Sequence, residues 1–472
     1  MKIVTLIFIV SILNSQIPYF ESYLPIVIID TNGQTIIDEP KIHASMGIIY
    51  HSNGSINKST DSFNHYSGKI SIEIRGSTSQ EYFPKKSYAF ETKNSNFEDK
   101  DESLLGLPEE EDWILYGPYG DKTLMRNVVI YELSRQMGNY ASRTKFCELV
   151  LNEEYIGVYV LMEKLKQDLN RINISKLKSS DISGDDLTGG YVIKIDKDTG
   201  KYTESWMSTF PPFEDAWQRI CYQYHSPKPD KLVSQQKQYI QDWLYDFENI
   251  MYSERNSTIS AGYDWIDINS AVDYFLISEL VKNKDAYYAS IFMYKDKDSN
   301  APKLHMGPVW DMNLSTGNNY GDALRSPQGW RFEIPLIQWE LDNSQINGPF
   351  WFNMLWRDIK FKQKFATRWN SKRNNVLSNQ NISTLIDSCF SEFNAPANHN
   401  FYRWNILGVA VWPITYYNNN NYVLDTYEEE VMYLKEWFNE RLEWIDSELA
   451  NGSDTTVPTT PTNFTGISNN GF

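Results

Sequence analysis

Two carboxylates, Asp285 and Asp311, flank a segment that reads as a β-hairpin. Ser290–Lys295 has strand composition, Asp296–Pro302 is built of turn formers, and Lys303–Trp310 reads as the return strand. A hairpin there folds the chain back and brings the two carboxylates near one another. Such a pair suits phosphoryl transfer, in which one Asp orients the acceptor hydroxyl and the other holds Mg²⁺ on the phosphates. An Asp in a loop also forms turns, caps helices, binds Ca²⁺ or stays solvated. The pair alone therefore does not select among these uses. The alternating charges of Lys295–Asn300 read as a solvated hairpin tip.

The elements around the pair must position it. Ile268, Ala271, Val272, Phe275, Leu276 and Leu280 recur at three- and four-residue steps, with Asp267 and Asn269 as N-caps. This predicts an amphipathic helix that runs out at Lys282-Asn283-Lys284-Asp285. Toward the N-terminus the chain reads as β-rich. Leu24–Asp30 is a buried-type strand ended by Asn32-Gly33, Ser52–Ser67 is a loop, and Lys69–Arg75 and Lys86–Thr92 alternate as strands. The turn Arg75-Gly76-Ser77-Thr78-Ser79, with Lys85 and Lys86 after it, can cradle phosphates through N–H groups and cations. It can equally be an ordinary hairpin with a basic rim. Asp121–Asn127 opens a helix to about Met137, capped by Asp121 or Thr123 and closed by Gly138-Asn139. Its Glu132 reads as solvated, the alternative being a partner for a phosphate-binding Lys. Lys145–Asn152 and Tyr155–Met162 form a strand pair around Glu153-Glu154, and Met162-Glu163 leaves it as a connector. A strand at Gly190–Asp196, an irregular aromatic stretch and a helix over Ser234–Tyr252 follow. After Asp311 helices are predicted over Pro349–Val376, Ile382–Phe393 and Asp425–Leu449, with Trp351, Trp356, Trp437 and Trp444 at helical spacing as core.

Composition bounds the function. With 472 residues, 41% of them hydrophobic, the chain has material for two to four domains or one large catalytic domain. The balance of 44 basic against 61 acidic residues gives a net charge of −17, which argues against nucleic acid and anionic membranes as partners. Met1-Lys2 and the apolar run Ile3–Leu13 read as a signal peptide within residues 1–22, too short for a stable membrane anchor. Eight Asn-X-Ser/Thr sequons (Asn53, Asn57, Asn173, Asn256, Asn313, Asn381, Asn451, Asn463) fit a secreted or secretory-lumen location. Cys147, Cys221 and Cys389 allow at most one bridge, and nothing near them supplies the base of a nucleophile. No His pair has metal spacing, and His305 reads as packed in its strand. Asn418–Asn421 is a low-complexity loop, and residues 451–472 read as a disordered Thr/Pro/Asn-rich tail.

With these pieces in order, the chain resembles the spore-coat CotH kinases, a family of secreted or spore-associated atypical protein kinases. The resemblance spans most of residues 24–449. It rests on Arg75-Gly-Ser77, Phe83-Pro-Lys-Lys-Ser-Tyr88, Asp121-Lys-Thr-Leu-Met-Arg-Asn127 and Gly157-Val-Tyr-Val-Leu-Met-Glu163. Asn283-Lys-Asp285, Pro308-Val-Trp-Asp311 and Trp437-Phe-Asn-Glu-Arg-Leu-Glu-Trp444 complete it. It implies an α+β, two-lobed kinase-like fold, with a β-rich N-lobe over 23–165 and a mostly helical C-lobe over 166–450. It also implies transfer from ATP with Mg²⁺ to Ser/Thr of a coat or surface protein, the chain itself included. Carried over, Lys86 contacts the phosphates, with Arg75, Ser77 and Arg126 as further phosphate or structural contacts. Met162 and Glu163 flank the adenine, Asp285 is the catalytic-loop carboxylate and Asp311 the main metal ligand.

Two positions depart from the family. Ser290 stands where relatives have Asn, and Asn313 where they have a second Asp. Both exchanges weaken the oxygen ligands for a second cation. A second reading is therefore a catalytically weak or inactive kinase-like surface or adhesion protein. A third, from the 15 Trp and 31 Tyr, is a carbohydrate-active enzyme with an acid–base carboxylate pair. The cations Arg75, Lys85, Lys86 and Arg126 suit phosphates better than neutral sugars.

Overall fold

The computed structural model describes residues 18–196, 204–213, 220–319, 321–334, 336–338, 344–346, 348–414 and 423–451. Almost all of the expected signal peptide and tail, the Asn418–Asn421 loop and the Asn463 sequon lie outside them. The main strands are β1 (Ile26–Asp30), β2 (Ile42–Ile49), β3 (Tyr66–Arg75), β4 (Ser87–Lys93), β5 (Asp112–Tyr116), β6 (Thr144–Leu151), β7 (Glu154–Glu163), β8 (Tyr191–Ile195), β9 (Ser205–Met207), β10 (Cys221–Ser226), β11 (Ile291–Lys295) and β12 (His305–Met306). The main helices are α1 (Arg126–Gln136), α2 (Ser234–Ser253), α3 (Ile268–Val281), α4 (Phe350–Arg357), α5 (Ile359–Arg373), α6 (Asn394–Arg403) and α7 (Tyr427–Asn451). Among the described residues no helix is long and apolar enough to cross a membrane.

The chain divides into two compact units. Unit 1 comprises residues 1–119, 144–164 and 389–407; unit 2 comprises 120–143, 165–388 and 408–472. Sequence reading does not show that α1 belongs to unit 2 or that α6 belongs to unit 1.

Unit 1 is a closed barrel in the order β1-β2-β3-β4-β5-β7-β6, closed by a parallel pairing of β1 with β6 in which Ile26 faces Glu148. Alternation along the strands sends Val27, Ile48, Ile72, Phe90, Trp113 and Leu149 into one buried cluster. The β6–β7 hairpin turns at Asn152 and Glu153, both at positive φ (49° and 66°), as a tight hairpin turn requires. Helix α6 docks on β7 through Asn400 and Trp404, whose indole donates to Ile156 O at 2.9 Å. Gly157 is fixed by that contact: a Cβ there would lie 2.7 Å from Asn400 Oδ1 and 3.0 Å from Trp404 Nε1.

Unit 2 has a mixed helical body and a five-stranded sheet, order β9-β10-β8-β11-β12. Its centre is α3. Asp267 caps it, accepting from Ser270 N–H at 2.7 Å, and Lys282 ends it in the left-handed region (φ 47°). The helix is not amphipathic, because every residue from Ala271 to Val281 is buried. Its two buried acids are compensated. Asp273 takes Arg368 of α5 at 2.7 and 2.8 Å, and Glu279 accepts the N–H groups of Arg331 and Phe332 at 2.6 and 2.8 Å. The return strand predicted over 303–310 is only His305–Met306, because Gly307 (φ 105°) breaks the ladder. The helix predicted over 349–376 is two helices. Asp358 ends α4 and caps α5, its Oδ1 accepting from Phe361 N–H at 3.0 Å. Trp351, Trp356 and Trp437 are buried core as expected, whereas Trp444 is only half-buried, and none of the three cysteines is joined in a disulfide.

Candidate functional site

The loops carrying the two carboxylates meet within unit 2. Lys284 N–H donates to Leu314 O at 2.9 Å, and Thr316 N–H donates to Val281 O at 2.8 Å. Asp285 and Asn313 thus flank one main-chain hydrogen bond, with Asp311 two residues before Asn313. The Asp285 carbonyl accepts from Tyr288 and Ala289 N–H, closing a turn. Its carboxylate takes the Tyr288 hydroxyl on Oδ1 and has Lys284 Nζ at 3.6 Å. Ser290 closes the loop at φ 55°, immediately before β11.

Asp311 is held by α1. Its N–H donates to Tyr131 Oη at 3.1 Å, and the next N–H, of Met312, donates to Asn127 Oδ1 at 2.8 Å. Asn127 and Tyr131 are four residues apart and so share one helix face. The Tyr131 ring also stacks on Trp310, with centroids 6.1 Å apart and planes 17° apart. With its backbone fixed at φ 58°, Asp311 occupies a conformation uncommon for a non-glycine residue. Sequence alone assigns no role to Asn127 or Tyr131. Their i, i+4 spacing, one amide and one phenol, was the available signal.

The residues fit a hard cation on one direct observation. Asn313 Oδ1 is buried and accepts no hydrogen bond among the described residues. An oxygen withdrawn from water without a donor costs about 1–3 kcal/mol, and a divalent ion compensates such a group. Asp311 and Asn313 would hold the ion and Asp285 would face the acceptor.

Arg126 is engaged differently from the phosphate contact expected of it. It is buried, pairs with Asp121 at 2.5 Å, and donates through Nε to Thr316 Oγ1 at 2.9 Å. It therefore ties the start of α1 to the loop after Asp311. Asp121 caps from a turn upstream, accepting Arg126 N–H at 2.9 Å, so α1 begins five residues later than the motif suggests. Glu132 takes Arg135 at 2.6 Å, a local pair on the half-exposed face.

In unit 1, Arg75 and Ser87 are paired across β3 and β4, which puts Arg75, Ser77 and Lys86 at one end of that hairpin. Gly76 and Ser77 are exposed. Lys86 Nζ donates to Gln80 O and Phe83 O, at 2.5 and 2.7 Å, and would have to leave these carbonyls to meet a phosphate. Lys85 is fully buried and structural, and burial lowers its pKa well below the usual lysine value. Met162 has strand neighbours on both sides, Ile114 and Thr144, and its side chain and that of Glu163 are buried.

A family model described as CotH kinase protein matches residues 72–445. The chain belongs to the CotH kinase family. No curated protein matches it. Among solved structures, it is similar to the crystal structure of a Helicobacter pylori proinflammatory kinase, CtkA, at 10% identity and a TM-score of 0.29, over 74% of this chain and 94% of that one.

Proposed function

We propose that this kinase-family chain transfers the terminal phosphoryl group of ATP, with Mg²⁺, to Ser or Thr hydroxyls of coat or surface proteins, itself included. The observation that carries the reading is the cross-linking of the Asp285 and Asp311 loops, with the donorless Asn313 oxygen beside them. Bound Mg²⁺ would neutralise phosphate charge. Asp285 would orient the attacking hydroxyl, and Asn127 and Tyr131 would keep the Asp311 loop rigid. Secretion agrees with the exposed sequons Asn53, Asn173 and Asn256. Asn57 does not fit as a glycan site in the folded chain, since its amide is buried and donates to Leu24 O at 2.9 Å.

Incubation of purified protein with radiolabelled ATP and Mg²⁺ tests the reading. Label is expected on Ser or Thr of the chain, lost with chelator. A second reading, a kinase-like protein without transfer, is favoured by the occupied amine of Lys86 and the exchanges at Ser290 and Asn313. Titration calorimetry with Mg²⁺·ATP separates the two, since absence of binding by folded protein leaves only the second.

A further inference from the structure

We propose that Arg331 is a positioning residue for transfer, a guanidinium clamp that fixes the loop bearing Asp285; this rests on the phosphoryl-transfer reading of that Asp. Arg331 lies 46 residues beyond Asp285 and is 3% exposed. Its Nε donates to Asn283 O at 3.0 Å and Lys284 O at 3.2 Å. Its Nη2 donates to Lys284 O at 2.6 Å and reaches Ala286 O at 3.5 Å, while Nη1 takes Ile334 O at 2.9 Å. The guanidinium thus gathers the carbonyls on both sides of Asp285. Buried carbonyls need donors, and a planar fork with five N–H groups supplies several at once in fixed directions, which an ammonium cannot.

The clamp is itself braced. Glu279 at the end of α3 accepts Arg331 N–H at 2.6 Å and also takes the Tyr287 hydroxyl at 2.8 Å from inside the same loop. The segment before Arg331 is pinned in the same manner. Lys282 Nζ donates to Ala323, Ser326 and Gln328 O at 2.7, 2.9 and 2.5 Å, and Arg441 of α7 to Pro327 and Gly329 O at 2.7 and 2.8 Å. Switched kinases order the corresponding stretch with an Arg–phosphate pair. Here cations of the chain hold residues 323–329 through main-chain carbonyls. Of the three cations, only Arg331 touches the carbonyls next to Asp285.

The test compares wild type, Arg331→Lys, Arg331→Ala and Asp285→Asn for turnover, KM for ATP and melting temperature. A misplacement of about 1 Å can cost about 100-fold. Arg331→Ala is expected to lose about that much turnover with KM for ATP within about twofold, and added guanidinium, but not ammonium, restores part of it. Arg331→Lys keeps charge and folding but not the fork, and falls by about 10-fold or more. Full turnover in either folded variant overturns the proposal, as does a parallel loss of nucleotide affinity. If Arg331→Ala does not fold, Arg331→Lys decides. A Lys variant that also fails to fold makes Arg331 a stability residue and overturns the proposal as well. Normal turnover of Asp285→Asn overturns the phosphoryl-transfer reading itself. An inactive Asp285→Asn beside normal Arg331 variants overturns only the clamp.

Discussion

Asp285 and Asp311 differ in what surrounds them, and the proposed reading gives them different tasks. Asp285 receives a hydroxyl donor, Tyr288, and has an ammonium, Lys284, nearby; Asp311 sits on a loop whose Asn313 oxygen has no donor among the described residues. Asp285→Asn is therefore expected to lower turnover by about 10²–10⁴-fold while Mg²⁺·ATP binding persists. Asp311→Ala should abolish transfer and weaken Mg²⁺·ATP binding with little change in apo melting temperature. Calorimetry and turnover, measured together, would exchange the two roles if Asp285→Asn lost binding instead. The departures are tested at the same scale. Ser290→Asn with Asn313→Asp adds oxygen ligands, so the Mg²⁺ concentration for half-maximal activity should fall and the rate rise. Asn313 also begins a sequon, and a deglycosylated wild-type control is run beside the double variant. The Ser315 hydroxyl of that sequon is buried and donates to Met312 O at 2.6 Å, so the control should match untreated protein.

Elements with one strong local signal were legible: α3 from its Asp267 cap and apolar spacing, although it is buried on every side, and β6–β7 from the acidic turn between them. Long-range pairing was not. Asp112–Tyr116 is a strand because β4 and β7 flank it, and its five residues carry no period that stands alone. The aromatic stretch before α2 became β9 and β10 for the same reason. Site residues followed this division. Asp285 and Asp311 are candidates that the hairpin between them suggests, whereas Asn127, Tyr131 and Arg331 contact distant backbone and needed the fold. The β10–α2 contact yields an element-scale prediction. Glu248 of α2 is buried, accepts from Ser208 Oγ at 2.7 Å and Tyr222 Oη at 2.9 Å, and burial raises its pKa to about 7. The native state then holds a proton that the unfolded chain releases near the ordinary value of 4.5. Between those values the native state binds more protons, so this group's contribution to stability falls as pH rises and the penalty is complete above about 7. Glu248→Gln should be more stable than wild type at pH about 8, by at most about 3 kcal/mol, and show no such gain near pH 4.5. Thermal melts across that range check it; a gain independent of pH would mean the carboxylate is not the cause.

On the scale of the whole molecule, each unit is assembled from separated stretches of chain, and unit 1 draws its last stretch, 389–407, from far beyond the barrel strands. One buried cation ties that stretch to the barrel. Lys85 Nζ has three acceptors: Val158 O at 2.6 Å, Asn400 Oδ1 at 2.8 Å and Pro118 O at 3.2 Å. The same Asn400 oxygen takes Val158 N–H at 3.1 Å, so one amide from α6 serves both a buried ammonium and a buried strand N–H. Removing an acceptor from a buried donor costs about 1–3 kcal/mol, and more when the donor is charged. Asn400→Leu should therefore lower the melting temperature, and adding Lys85→Met should recover only part of the loss, since it removes the stranded ammonium but leaves Val158 N–H without its acceptor. A fragment of residues 18–164 keeps every barrel strand yet lacks Asn400 and Trp404. It should fail to give the cooperative melt that the same fragment shows once residues 389–407 are tethered to it. A cooperative melt of the untethered fragment, equal to that of the tethered one, would mean that the barrel closes without α6 and that Lys85 finds its third acceptor elsewhere.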